Sequence, residues 1–205
     1  MKSNVDKNDP MPAARPRMIV GVTGATGIIY GIRLLLALRE AAVESHLVVT
    51  KAGDQTRSYE TDLSARQLRD LADVNYGVGD IAAAIASGSF RTLGMIVAPC
   101  SMRTLGEIAS GACSNLLTRA GDVTLKERRK LVLMVRETPL SSIHLDNMVR
   151  VTQAGGIIFP PVPAFYTRPK TIEDIVDHTV GRVLDLFDID IGLVARWGEK
   201  PAEIE

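Results

Sequence analysis

The stretch "GVTGATGIIYG", residues 21–31, decides the fold. It follows the apolar run Met18-Ile-Val20 and leads into the helical pattern Ile32-Arg-Leu-Leu-Leu-Ala-Leu-Arg39. A buried strand that passes through glycines straight into a helix leaves backbone N–H groups unpaired at the positive end of the helix dipole, which predicts a phosphorylated ligand there. The glycines read G-x-x-G-x-x-G and lack the G-x-G-x-x-G spacing of the dinucleotide fingerprint. The spacing leaves the ligand open.

Outward from this turn, short apolar runs alternate with helical patterns. Met18 to Val22, His46 to Thr50, Gly94 to Ala98, Leu131 to Val135 and Gly156 to Phe159 read as buried parallel strands. Ile28 to Ala41, Thr104 to Ala112, Ser142 to Ala154 and Ile172 to Leu186 read as helices, with weaker patterns at Ala52 to Tyr59, Ala65 to Leu71 and Asp80 to Ala86. The alternation predicts an α/β fold: a Rossmann-like, doubly wound, mostly parallel sheet with helices on both faces and ligands beyond the carboxyl ends of the strands. Residues 1–17 are polar, proline-rich and without a period, and read as a disordered arm. Residues 18–199 read as a single domain, and 200–205 as a tail.

Lys plus Arg number 24, as do Asp plus Glu, so the formal charge of the 205-residue chain is zero. No overall field favours nucleic acid or an anionic membrane, and any bound anion must be held locally. Two cysteines, Cys100 and Cys113, are too few for a disulfide framework. With no signal peptide read ahead of the first strand, a cytoplasmic location is expected. The longest apolar runs are much shorter than a membrane span.

The strand ends carry the chemistry. Pro99-Cys-Ser-Met-Arg-Thr104 joins a strand to a helix. Ser101 is explained as an N-cap. Arg103 in the first helical turn is not, because the dipole disfavours a cation there, and an anion bound at the helix start would compensate. Leu125-Lys-Glu-Arg-Arg-Lys130 is either a solvated basic turn or, with Arg119, a phosphate site. Arg136-Glu137 follows an apolar strand directly, where this architecture puts its cleft; the plainer alternative is a salt bridge at a strand end. Glu60 and Glu137 are candidates for an acid/base pair among many surface glutamates. His46, His144 and His178 lie in no triad pattern, and nothing has metal-ligand spacing, so no metal is expected. Tyr166 reads as lid packing or a ligand contact. Trp197 reads as a terminal anchor or as a π face for a cation.

Taken together, "TGATG", "PCSMRTL", "LLTRAGDVTLKERRKLVLMVRETPLSSIHLDNM", "FPPVPAFYTRP" and "RWGE" resemble the flavin prenyltransferase family, the UbiX-like proteins, which include the small subunits of hydroxyarylic acid decarboxylase systems. The resemblance covers about residues 18 to 199 in consistent order. It implies a homo-oligomer, a dodecamer with sites at subunit contacts, that joins the dimethylallyl group of dimethylallyl phosphate to N5 and C6 of reduced FMN. The prenylated FMN then serves a UbiD-like decarboxylase. By the same resemblance Gly24, Ala25, Thr26, Thr50, Ser101, Met102, Arg103, Thr104 and Arg136 approach the flavin. Lys126, Tyr166 and Arg182 hold the prenyl phosphate with help from Arg119. Thr26, Glu60, Glu137 and Trp197 are catalytic, Trp197 lying beside the prenyl group.

Two departures stand out, since many family members carry serine where this chain has Thr26 and Thr50. Two other readings compete. The flavin-dependent decarboxylases of peptidyl or pantothenoyl cysteine resemble this fold, but their P-A-S-A-N-T motif has asparagine where Arg103 stands. A non-catalytic FMN carrier or accessory subunit would not need Lys126, Tyr166 and Arg182 together.

Overall fold

Strand β1 (Arg17–Val22) is buried at every residue after Arg17, and it sits at the centre of the molecule. The computed structural model describes residues 15–194 and Arg196. In chain order β1 is followed by α1 (Ile28–Glu40), β2 (Glu44–Val49), α2 (Lys51–Glu60), α3 (Ala65–Arg69), β3 (Val74–Tyr76), β4 (Gly94–Cys100), α4 (Met102–Ser110), α5 (Leu116–Lys126), β5 (Lys130–Val135), α6 (Ser142–Gln153), β6 (Ile157–Ile158) and α7 (Ile172–Asp185). All six strands are parallel, in the order β3-β2-β1-β4-β5-β6. That is the doubly wound order, with its switch point between β1 and β4.

The strands read as continuous apolar runs because both faces are covered, yet their period of two still sorts the side chains. Met18, Val20 and Val22 of β1 join Ile96 and Ala98 of β4 and Val132 and Met134 of β5 in one core, against Leu34, Leu35 and Leu38 of α1 and Val180, Val183 and Leu184 of α7. Ile19, Met95, Val97, Leu131 and Leu133 face the other way, onto Leu105 of α4, Leu116, Leu117 and Ala120 of α5, and Val151 of α6. A one-residue slip in any central strand would exchange its partners on the two layers.

Each helix from α2 to α7 is capped by its own N-cap side chain: Thr50, Ser64, Ser101, Asn115, Ser141 and Thr171. Helix α1 differs. Its N-cap is Gly27, in the left-handed region at φ 101°, and offers no side chain.

Several expectations shift. The chain enters the sheet at Arg17, and Arg15 already ion-pairs with Asp73 at 2.8 Å, so residues 15–17 belong to the fold. The remainder of the expected arm, and the tail, lie outside the described residues. Asp80 to Ala86 forms turns and one 3-10 turn, Ala84–Ala86, instead of a helix. Strand β3 was not anticipated; it has three residues at the sheet edge, with Asn75 exposed between half-buried neighbours. Helix α5 was not anticipated either. Its buried face includes the small or β-branched Thr118, Ala120, Gly121 and Thr124, which blur the helical period. Part of the expected basic turn is therefore the last turn of this helix.

Helix α1 crosses the sheet at contact distance. A Cβ on Gly31 would lie 2.5 Å from the carbonyl oxygen of Ala98 and 3.2 Å from Cγ2 of Val22. Backbone cannot yield as a flexible side chain can. Gly31→Ala is expected to cost on the order of 1–3 kcal/mol through overpacking, read as a lowered midpoint in urea denaturation; an unchanged midpoint would refute the close-packing account.

Candidate active site

At the switch point the ends of β1 and β4 are tied by one buried hydroxyl. Thr23 Oγ1 donates to the carbonyl of Pro99 and accepts from the N–H of Ser101, both at 2.8 Å. Thr23 also donates its own N–H to Pro99 O at 3.3 Å. Thr23 is only 1% exposed, so its hydroxyl satisfies its own hydrogen-bonding capacity without water while joining the two strand ends. Thr23 stands in the TGATG motif at the end of an apolar strand, but nothing in its local sequence reveals the bridging role.

Three loops converge above this tie. Ser101 caps α4, accepting from the N–H of Thr104 at 3.3 Å, with Met102 half-buried beside it. Thr50 caps α2, accepting from the N–H of Gly53 at 3.0 Å. Gly24 lets α2 approach, since a Cβ there would sit 2.5 Å from Cβ of Ala52. Ala25 is buried, while Thr26 is exposed next to it. From the far end of α2, Glu60 reaches back to α1. Its carboxylate accepts from the N–H of Gly27 at 2.9 Å and from that of Ile28 at 2.9 Å. The negative group expected at the start of α1 is thus supplied by the chain itself, as the missing cap.

Arg136 and Glu137 leave β5 at the same edge, where the Arg136 N–H bonds Cys100 O at 3.2 Å. Both side chains are exposed, and among the described residues neither forms an ion pair, so the plain salt-bridge reading is not what the structure contains. Arg103 is different. Its Nε meets Glu107 at 2.9 Å, four residues on, and this carboxylate takes the compensating role that was expected of a bound anion. Burial pushes Glu107 up, but hydrogen bonds from Ser114 and Arg103 outweigh it and hold the carboxyl below its usual range. Cys100 is fully buried, which pushes its thiol far above the usual range, so it is an inert wall.

A second cluster lies beside β6. Tyr166, His178, Thr179 and Arg182 line a cavity of about 250 Å³ together with the Phe159-Pro160 turn. Arg182 pairs with Asp185 at 2.7 Å. Burial, aided by the Arg182 charge and opposed by Asp185, lowers the His178 pKa.

The remaining basic residues are elsewhere. Arg119 pairs with Asp122 at 3.0 Å, and Lys126 with Glu127. Lys126 lies at the foot of α5, its Nζ 2.8 Å from where a Cβ on Gly88 would stand. This is the amino edge of β5; at about 3.3 Å per residue, the six-residue strand separates it from the crevice by roughly 20 Å. The described chain therefore does not bring Lys126 to the crevice edge. Trp197 lies outside the described residues. Among those described, no group of three or more His, Cys, Asp or Glu is placed to hold a metal, and no helix is long and apolar enough to cross a membrane.

The flavoprotein family model matches residues 7–184. The flavin prenyltransferase UbiX of Neisseria meningitidis is 55% identical over 181 residues, 88% of this chain and 96% of the relative. That of Escherichia coli K12 is 54% identical over 184 residues, 88% and 97%. This chain belongs to the UbiX-type flavin prenyltransferase family. The family extends to yeast, where the mitochondrial flavin prenyltransferase PAD1 is 51% identical over 197 residues, 96% of this chain and 81% of the relative. Among solved structures, AnUbiX (PadA1) in complex with FMN and dimethylallyl pyrophosphate superposes with a TM-score of 0.89 at 55% identity, covering 91% of this chain and all of that one (100%). The peptidyl-cysteine decarboxylase EpiD, at 14% identity and a TM-score of 0.63, shares the fold alone.

Replacing Thr23 by valine keeps its shape and removes both bonds of the hydroxyl. Thr23→Val is expected to cost about 1–3 kcal/mol, with the loss appearing in urea denaturation; a stability equal to wild type would remove Thr23 from its bridging role.

Proposed function

We propose that this chain is a metal-independent prenyltransferase. It joins the dimethylallyl group of dimethylallyl phosphate to N5 and C6 of reduced FMN and makes prenylated FMN for a UbiD-like decarboxylase. The observation that carries this reading is the crevice between β1 and β4, edged by hydroxyls and an uncommitted guanidinium, in a chain that is 54–55% identical to curated flavin prenyltransferases over 88% of its length. The donor set fits a mononucleotide. Arg136 has no ion-pair partner among the described residues and stands exposed at the strand ends, as an anionic ligand requires. Thr26, exposed above the same edge, presents a hydroxyl.

Bound reduced FMN supplies the nucleophilic N5 and C6 positions. Gly24, Ala25, Thr50 and the loop from Ser101 to Thr104 would hold the flavin. When the allylic C–O bond breaks, negative charge grows on the phosphate. Arg182 and Tyr166 stabilise that charge by hydrogen bonds, as do Lys126 and Arg119. Trp197 supplies π density to the cation-like allyl fragment, and the apolar Phe159-Pro160 turn excludes water. Glu60 holds the first turn in place, and Glu137 receives or returns a proton beside the flavin.

Lys126 and Arg182 sit on separate parts of the protomer, so the complete site forms between copies. This agrees with a homo-oligomer; a UbiX-like relative from Escherichia coli O157:H7 crystallised as a dodecamer. A reducing, cytoplasmic compartment suits two free thiols. The cysteine decarboxylase reading is not favoured, because Arg103 replaces the asparagine of that chemistry. Nor is the carrier reading, which leaves the Tyr166 and Arg182 cavity without a purpose.

Purified protein given reduced FMN and dimethylallyl phosphate without oxygen is expected to yield a flavin heavier by one prenyl unit on mass spectrometry, and unchanged FMN would defeat the reading. Arg182→Ala should keep its flavin and lose turnover by about a hundredfold to a thousandfold, since a charge-assisted contact to the leaving group is worth roughly 2.7–4 kcal/mol in the transition state. Asp185 retains Arg196 as a partner at 3.0 Å, so the fold tolerates the change. Equal loss of flavin and turnover would show Arg182 to be structural.

A further inference from the structure

His178 belongs to no part of the chemistry described above, yet its surroundings are unusual for a core histidine. It is only 7% exposed, and its Nδ1 is buried with no hydrogen-bond partner. The contrast is His46, buried in β2, whose two ring nitrogens meet Tyr76 Oη at 2.9 Å and Glu44 at 2.8 Å. A satisfied histidine needs no ligand, whereas an unsatisfied one carries an unmet cost.

The tautomer follows from that cost. A sealed N–H without an acceptor is the more expensive orphan, so the ring keeps its lone pair at Nδ1 and its proton at Nε2. With Nδ1 sealed, what the ring exposes is its Nε2 side, and that surface lines two cavities. One is the cavity of about 250 Å³ that holds Tyr166 and Arg182. The other, of about 370 Å³, is lined by Arg168, Lys170, Asp174 and Asp177. Asp174 is committed to the N–H groups of Lys170 and Thr171, and Asp177 to Arg33. Among the described residues neither carboxylate is hydrogen-bonded to the imidazole, each being held by these other donors. On the first side the imidazole stands edge-on to the Tyr166 ring, with centroids 5.9 Å apart and planes at 86°. Arg182 projects one helical turn further along α7. The charged groups around the ring are thus Arg182 and Asp185 on one side, and Arg168, Lys170, Asp174 and Asp177 on the other.

We propose that His178 is a further member of the anion site, donating its Nε2–H as a neutral imidazole to a phosphate oxygen held beside Arg182. This rests on the reading of the Tyr166 and Arg182 cavity as the prenyl phosphate site. It assigns a recognition role to a residue with no place in the flavin crevice. An uncharged donor adds direction without a further positive charge that would retard release of the phosphate product.

Sulfate is the probe, because its charge does not change over the working pH range. His178→Phe keeps a ring against Tyr166 and removes the donor; His178→Gln restores an N–H donor. The phenylalanine variant is expected to raise the inhibition constant of sulfate against the prenyl donor about tenfold or more, with glutamine within about threefold of wild type and flavin binding unchanged in both. Equal sulfate inhibition in wild type and His178→Phe would overturn the proposal while leaving the phosphate cavity standing. Glutamine as weak as phenylalanine would overturn it in favour of simple ring packing. Wild type untouched by sulfate would remove the cavity reading itself, and the proposal with it. Independently of any variant, solid-state NMR of wild-type protein labelled with 15N in its three histidines should show one Nε2–H signal shift on adding sulfate; no shift would also overturn the assignment.

Discussion

Burying both faces of a parallel sheet leaves polar chemistry one place to go. With α1 and α7 on one side and α4, α5 and α6 on the other, a charge inside any central strand would be stranded without water. Hydroxyls and charges are therefore displaced to the loops at the strand ends. There the switch between β1 and β4 opens a gap that the topology itself provides. The Thr23 hydroxyl fixes how wide that gap is, by binding Pro99 and Ser101 across it. The loop carrying Gly24 to Thr26 and the cap of α4 inherit their relative position from this bond pair.

Much of this was legible in the sequence for a physical reason: long buried strands and capped helices write strong local patterns. Strands β1, β4 and β5, and helices α1, α6 and α7, stand close to where the apolar period put them. The misses are of two kinds. Strand β3 and helix α5 carry weak patterns, the first because an edge of three residues has almost no period, the second because Gly121 and the threonines pack where larger apolar residues usually mark a helix face. The second kind concerns partnership. Glu60 and Gly27 stand 33 positions apart, and no local pattern announces that one will cap the other. The pairing of Arg103 with Glu107 was within reach, because a carboxylate four residues on is an ordinary helical neighbour.

The cations divide in an instructive way. Arg103, Arg119, Lys126 and Arg182 each hold a carboxylate three or four residues away or next in sequence. The Arg119–Asp122 pair, partly exposed on both sides, is of the kind that contributes only about 0–1 kcal/mol, whereas Glu107 and Asp185 are half-buried. The pairing of Arg182 with Asp185 is better supported, because Asp185 also holds Arg196.

The Glu60 cap carries a consequence for turnover. In many nucleotide-binding proteins the ligand's phosphate completes the first helix, so that releasing the nucleotide leaves bare amides behind. Here the amides of Gly27 and Ile28 are already satisfied by a side chain from α2. These two amides therefore need no guest to be satisfied. For a protein whose flavin leaves as a finished product, departure leaves the Gly27 and Ile28 amides paired.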